Sequence, residues 1–110
     1  MDDKILLVDD DVMILSGLKR QLRNQFNIET ALNGKEALKI IKSSSPYAVV
    51  VSDFMMPGMN GVELLSMVRD ISPETIRMML TGSSDMKTAM KAVNDGNIFQ
   101  FHLKPCSADI

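Results

Sequence analysis

The feature that most constrains this chain is an alternation of two patterns. Short apolar runs recur along it, and between them apolar residues return every three or four positions. Ile5 to Val8 is an unbroken apolar run, as expected of a strand covered on both faces. Leu15, Leu18, Leu22 and Phe26 then share one helical face, with Lys19, Arg20 and Arg23 on the other. "FNIETA" reads as a second strand, and Asn33-Gly34 turns into a helix carrying Ala37, Leu38 and Ile41. "YAVVVSD" is a third strand, and "MMPGMNG" is a loop by its proline and glycines. Val62, Leu65 and Val68 line a third helix, which should stop near Ser72-Pro73. "TIRMMLT" is a fourth strand. Met86, Ala89, Met90 and Val93 form a fourth helical face closed by Asp95-Gly96, and "IFQFHL" is a fifth strand. Strands alternating with helices over short connections predict an α/β domain, a parallel sheet with helices on both faces.

Composition narrows the function classes. A chain of 110 residues is a single domain able to bury one core. Its 45% hydrophobic and 24% charged residues are ordinary for a globular protein. A net charge of −2 gives no nucleic-acid footprint. A lone cysteine, Cys106, excludes an internal disulfide and suits a reducing compartment. No apolar run approaches the roughly 20 residues of a membrane span. The opening "MDDK" lacks the features of a signal peptide, so the expected location is the cytoplasm, with no membrane association.

In parallel α/β sheets, ligands bind outside the carboxyl ends of the strands. Those ends carry Asp9, Asp10 and Asp11 after the first run, Asp53 after the third, Thr81 after the fourth and Lys104 after the fifth. Carboxylates crowded together need a counter-charge, and oxygen-only ligation points to Mg²⁺. A carboxylate among them can act as a nucleophile and become an aspartyl phosphate. The negative charge of a transferring phosphoryl group suits a cation, an ammonium and a hydroxyl. Two of the three consecutive aspartates would hold the metal. The third, Asp11, falls where a carboxylate caps the first helix.

The segments "KILLVDDD", "VVVSDFMMPGMNGVELL", "MMLTGSSD" and "FQFHLKPC" are similar, in order and spacing, to the four characteristic blocks of the response-regulator receiver domain of two-component signalling. The resemblance covers nearly all of the chain. It implies a flavodoxin-like fold, a five-stranded parallel sheet with strand order 2-1-3-4-5. By the same resemblance Asp9 and Asp10 match the metal-binding acidic pair, and Asp53 matches the phosphoacceptor, which takes a phosphoryl group from a kinase phosphohistidine. Met55 matches the position whose backbone carbonyl completes the Mg²⁺ shell. Thr81 matches the switch hydroxyl, Lys104 the lysine that pairs with the phosphoryl group, and Phe101 the aromatic switch position. Met55 and Ser83 match the positions that tune hydrolysis, and the Lys104-Pro105 bond is expected to be cis. The implied partners are a sensor histidine kinase or phosphotransfer protein and an effector. Beyond self-phosphorylation from phosphodonors and self-dephosphorylation, no enzyme activity is implied.

Two features depart from the family pattern. Phe101 stands where tyrosine is frequent, so a switch hydroxyl is lost there. The fifth helix is largely missing, so residues 1–110 are expected to be either the receiver part of a longer response regulator with a C-terminal effector domain, the favoured reading, or a short stand-alone receiver. Other residues have plainer roles. His102 alternates with Phe101 and Leu103 and reads as a surface histidine, and Cys106 as a small packing residue. Met56 is expected to pack, Met55 and Met59 to cover the mouth of the site, and Met86 and Met90 to lie at core spacing. Lys87 and Lys91 read as a solvated face. A different class also fits part of the pattern: a phosphohydrolase of the haloacid-dehalogenase type, with Asp9 of "LLVDDDV" as nucleophile and Asp11 as acid. Against it, Val12 stands where a glycine is expected and no acidic pair follows the fourth strand. A third reading, a non-phosphorylated interaction domain, is disfavoured by the intact acidic site.

Overall fold

Strands apolar on both sides are stable only when covered on both sides, and the short apolar runs are placed accordingly. The computed structural model describes residues 4–43, 46–81 and 100–103, with the backbone alone for 81 and 100–103. The expected fourth helix, Ser83, Lys87, Lys91, Lys104, the Lys104-Pro105 bond and Cys106 lie outside the described residues. The elements run β1 Lys4–Val8, α1 Val12–Leu22, β2 Asn27–Ala31, α2 Gly34–Ser43, β3 Val49–Asp53, α3 Gly61–Ile71, β4 Ile76–Thr81 and β5 Gln100–Leu103. All strand pairings are parallel, and the sheet order is β2-β1-β3-β4-β5. This is the flavodoxin-like order that the family resemblance implies.

Alternation along β1 divides the core in two. Leu6 and Val8 join Val50, Met79, Ala37, Ile41, Leu64, Leu65 and Val68 on the face covered by α2 and α3. Ile5 and Leu7 join Ile28 and Leu15 under α1, with Leu18, Leu22 and Phe26 packed against them. Phe26 reaches that cluster from beyond the helix, because α1 ends at the C-cap residue Arg23. Its spacing matched the helical face, but the turn that follows carries it there. Among the described residues, no helix is long and apolar enough to cross a membrane.

Side-chain caps fix where the helices start. Asp11 accepts from the backbone N–H groups of Met13 (2.9 Å) and Ile14 (3.4 Å). Asn60 and Glu63 form a reciprocal capping box at α3, at 2.9 and 3.0 Å. α3 stops at Ser72, before Pro73. Replacing Asp11 with alanine leaves donors at the head of α1 without their protein acceptor. It should lower the unfolding free energy by about 1 kcal/mol, measured as a shift of the urea midpoint at unchanged slope.

Candidate functional site

The parallel order brings the ends of distant segments to one edge. Asp9 follows the last residue of β1, Asp53 ends β3 and Thr81 ends β4. Asp9, Asp10 and Asp53 each present a carboxylate oxygen, and these oxygens lie within 4.8 Å of one another. Asp9 and Asp53 are buried, at 3% and 8% exposure, whereas Asp10 is exposed. The cluster is therefore open on one side and buried on the other. Such a trio of hard oxygen donors can hold a metal ion, and bringing these charges together without a cation costs Coulomb energy. The chemistry of the donor set thus fits a hard divalent cation.

The three consecutive aspartates have different surroundings. Asp9 accepts from the Asp11 N–H at 2.9 Å through Oδ1, and its own N–H donates to Ala31 at 3.2 Å, tying the β1 end to β2. Asp10 is the exposed member of the cluster. Asp11 caps α1. The phosphohydrolase alternative fares poorly here: the carboxylate it requires as acid, that of Asp11, is committed to two backbone donors.

The loop between β3 and α3 borders the cluster. Phe54 and Met56 are buried in the core on the α2/α3 side, while Met55 between them is 57% exposed. Met56 therefore packs as expected. Met59 is half-buried against the same core, its sulfur beside Gly34 at the head of α2, so it braces the loop against α2. Gly58, at φ 81°, provides the left-handed turn in the loop. Phe101 lies in β5 opposite Met79, His102 opposite Leu80, and Thr81 opposite Leu103. Lys104 follows directly after β5, outside the described residues.

Sequence reasoning missed three residues. Ser52 is fully buried and its hydroxyl donates to the Asp53 carbonyl at 2.9 Å. Gly61, one of the glycines that mark "MMPGMNG" as a loop, lies directly against that carbonyl. Arg77, in β4, is only 2% exposed. Burial pushes its guanidinium below the ordinary value, Arg69 adds to the shift, and Asp70 opposes it. A serine in "VVVSD" and an arginine in "TIRMMLT" were the available signals, polar residues inside strands that are otherwise apolar.

Comparison with known proteins agrees with this geometry. The family model described as response regulator receiver domain matches residues 5–109. The hydrogenase transcriptional regulatory protein HoxA of Cupriavidus necator is 35% identical over 112 residues, covering 99% of this chain and 23% of that protein. Across the first three curated relatives, the chain spans 21% to 29% of their length. Among solved structures, one described as adenylate cyclase from Rhodopirellula baltica is 47% identical with a TM-score of 0.90, covering 99% of this chain and 81% of that one. A response regulator protein from Burkholderia pseudomallei, solved with a phosphorylated aspartic acid, a calcium ion and citrate, is 28% identical with a TM-score of 0.85, covering 98% of this chain and 63% of that one.

Proposed function

The chain belongs to the response regulator receiver domain family, and from that premise we propose that Asp53 is its phosphoacceptor, working with Mg²⁺ held by Asp9, Asp10, Asp53 and the backbone carbonyl of Met55. The observation that carries this reading is the convergence of three carboxylates within 4.8 Å at the ends of β1 and β3. The phosphorylated aspartate and calcium ion in the Burkholderia pseudomallei neighbour support it. Mg²⁺ at this position would offset the charge of the carboxylates and of an incoming phosphoryl group.

In the proposed reaction a carboxylate oxygen of Asp53 bonds to phosphorus. The bond from phosphorus to the donor breaks with its electron pair, leaving histidine nitrogen or acetate on the donor side and an acyl phosphate on Asp53. The Thr81 hydroxyl and the Lys104 ammonium then pair with phosphoryl oxygens, and Thr81 and Phe101 carry the switch to an effector. Self-phosphorylation and self-dephosphorylation are the only enzyme activities proposed. The partners proposed are a sensor histidine kinase or phosphotransfer protein and an effector C-terminal to residues 1–110, in a cytoplasmic regulator. The greater length of the curated relatives supports the effector.

The test is intact-mass spectrometry after incubation with acetyl phosphate and Mg²⁺. The expected result is one phosphoryl adduct, lost in Asp53→Asn and lost when EDTA removes the metal. An adduct that survives Asp53→Asn but disappears in Asp9→Asn would overturn the assignment.

A further inference from the structure

We propose that Ser52 and Gly61 are positioning residues for Asp53, together locking the peptide that joins Asp53 to Phe54; this rests on Asp53 being the phosphoacceptor. Ser52 is completely buried in β3, paired in register with Val8 on β1 and Met79 on β4. A hydroxyl there is harder to bury than a methyl group, so its presence needs a cause. Its bond supplies one: Oγ donates to the Asp53 carbonyl oxygen at 2.9 Å.

The same peptide is held at its other end, where the Phe54 N–H donates to Leu80 on β4 at 3.2 Å. With both the carbonyl and the N–H engaged, the peptide plane cannot rotate without losing a buried hydrogen bond. That plane fixes the backbone from which the Asp53 side chain projects and the direction in which the chain leaves toward Met55.

Gly61 closes the arrangement. Its N–H donates to the Phe54 carbonyl at 2.8 Å, drawing the two ends of the 55–60 loop together. A Cβ at position 61 would overlap the Asp53 carbonyl oxygen and stand 3.1 Å from both the Asp53 carbonyl carbon and the Phe54 Cα. All three are backbone atoms with no side-chain freedom to give way. A side chain at 61 must therefore displace the peptide that Ser52 holds. Glycine is required here by close approach, since the left-handed φ of the loop belongs to Gly58.

The experiment compares the 110-residue wild type with Ser52→Ala, Ser52→Cys and Gly61→Ala. Three quantities are read: the initial rate of adduct formation from acetyl phosphate at saturating Mg²⁺, the Mg²⁺ dissociation constant by calorimetry, and the urea midpoint. Ser52→Ala is expected to fold and to form the adduct about tenfold more slowly, with Gly61→Ala slower still. Ser52→Cys, which fills the site with a weak donor, should be slow as well. Weakened Mg²⁺ binding should accompany the slow rates, because Asp53 is also a proposed metal ligand. A wild-type rate in Ser52→Ala, or full recovery in Ser52→Cys, would overturn the proposal by reducing Ser52 to a space-filling residue. If Gly61→Ala fails to fold, the two Ser52 variants decide. An adduct retained in Asp53→Asn would instead overturn the phosphoacceptor assignment.

Discussion

Asp9→Asn is expected to abolish Mg²⁺-dependent phosphorylation while making the metal-free protein more stable. Three carboxylate oxygens lie within 4.8 Å of one another, two of them on buried residues. Each like-charge contact at that distance costs about 1 kcal/mol in a water-like medium and several times that at lower effective dielectric. Asparagine keeps the shape of the side chain and can still accept from the Asp11 N–H through Oδ1, so the turn into α1 survives. What disappears is one negative charge. In EDTA the melting temperature should therefore rise, by about 4–8 °C for each kcal/mol of relieved repulsion. On adding Mg²⁺ the order should reverse. Saturation of the wild type at about 100 times its dissociation constant adds about 2.7 kcal/mol, and the variant, short of a charged ligand, should gain little. Thermal scans of both proteins with EDTA and with Mg²⁺ read the crossing directly. A variant that melts lower than wild type in EDTA, or that keeps a normal Mg²⁺ response, would show that the cluster is not a metal site under mutual repulsion.

The fold was legible because its signals are local and repeated. Unbroken apolar runs such as Ile5–Val8 suit a strand covered on both faces, and the caps at Asp11 and Asn60 mark where helices begin. The site was legible one step later, because parallel topology brings strand ends together whatever their separation in sequence. Asp9 and Asp53 are far apart in the chain and adjacent in space for that reason. What escaped was the backing of the site. The role of Ser52 depends on which carbonyl its hydroxyl meets, and that of Gly61 on a backbone approach that no periodicity encodes. Arg77 escaped for the same reason: in sequence it is one charge in a strand, and only packing shows it buried. Phe26 shows the converse error, in which helical spacing continued past the helix because the following turn kept the same side facing the core.

Leu64→Ala is expected to cause the largest loss of stability, and the loss should reach the site. Leu64 is completely buried in α3, in the same cluster as Phe54 and Met56, the two side chains that flank Met55 and anchor its loop. Truncating a buried leucine removes its transfer free energy and leaves a cavity, about 2–5 kcal/mol together. Against the roughly 5–15 kcal/mol that holds a domain of this kind together, such a loss is a substantial share of the total. The cavity opens in the cluster that Phe54 and Met56 help to fill, so the contacts that set the loop's position are expected to relax with it. The variant should therefore show a lower urea midpoint and a weaker Mg²⁺ dissociation constant, although no proposed metal ligand has been altered. Excess Mg²⁺ should recover part of the lost stability, since an ion that binds only the folded state shifts the unfolding equilibrium by mass action. A midpoint shift worth less than about 1 kcal/mol would mean that the core closes around the truncation. A large shift with unchanged Mg²⁺ affinity would mean that the loop holds its shape without the packing beneath it, which would leave Ser52 and Gly61 as its main supports.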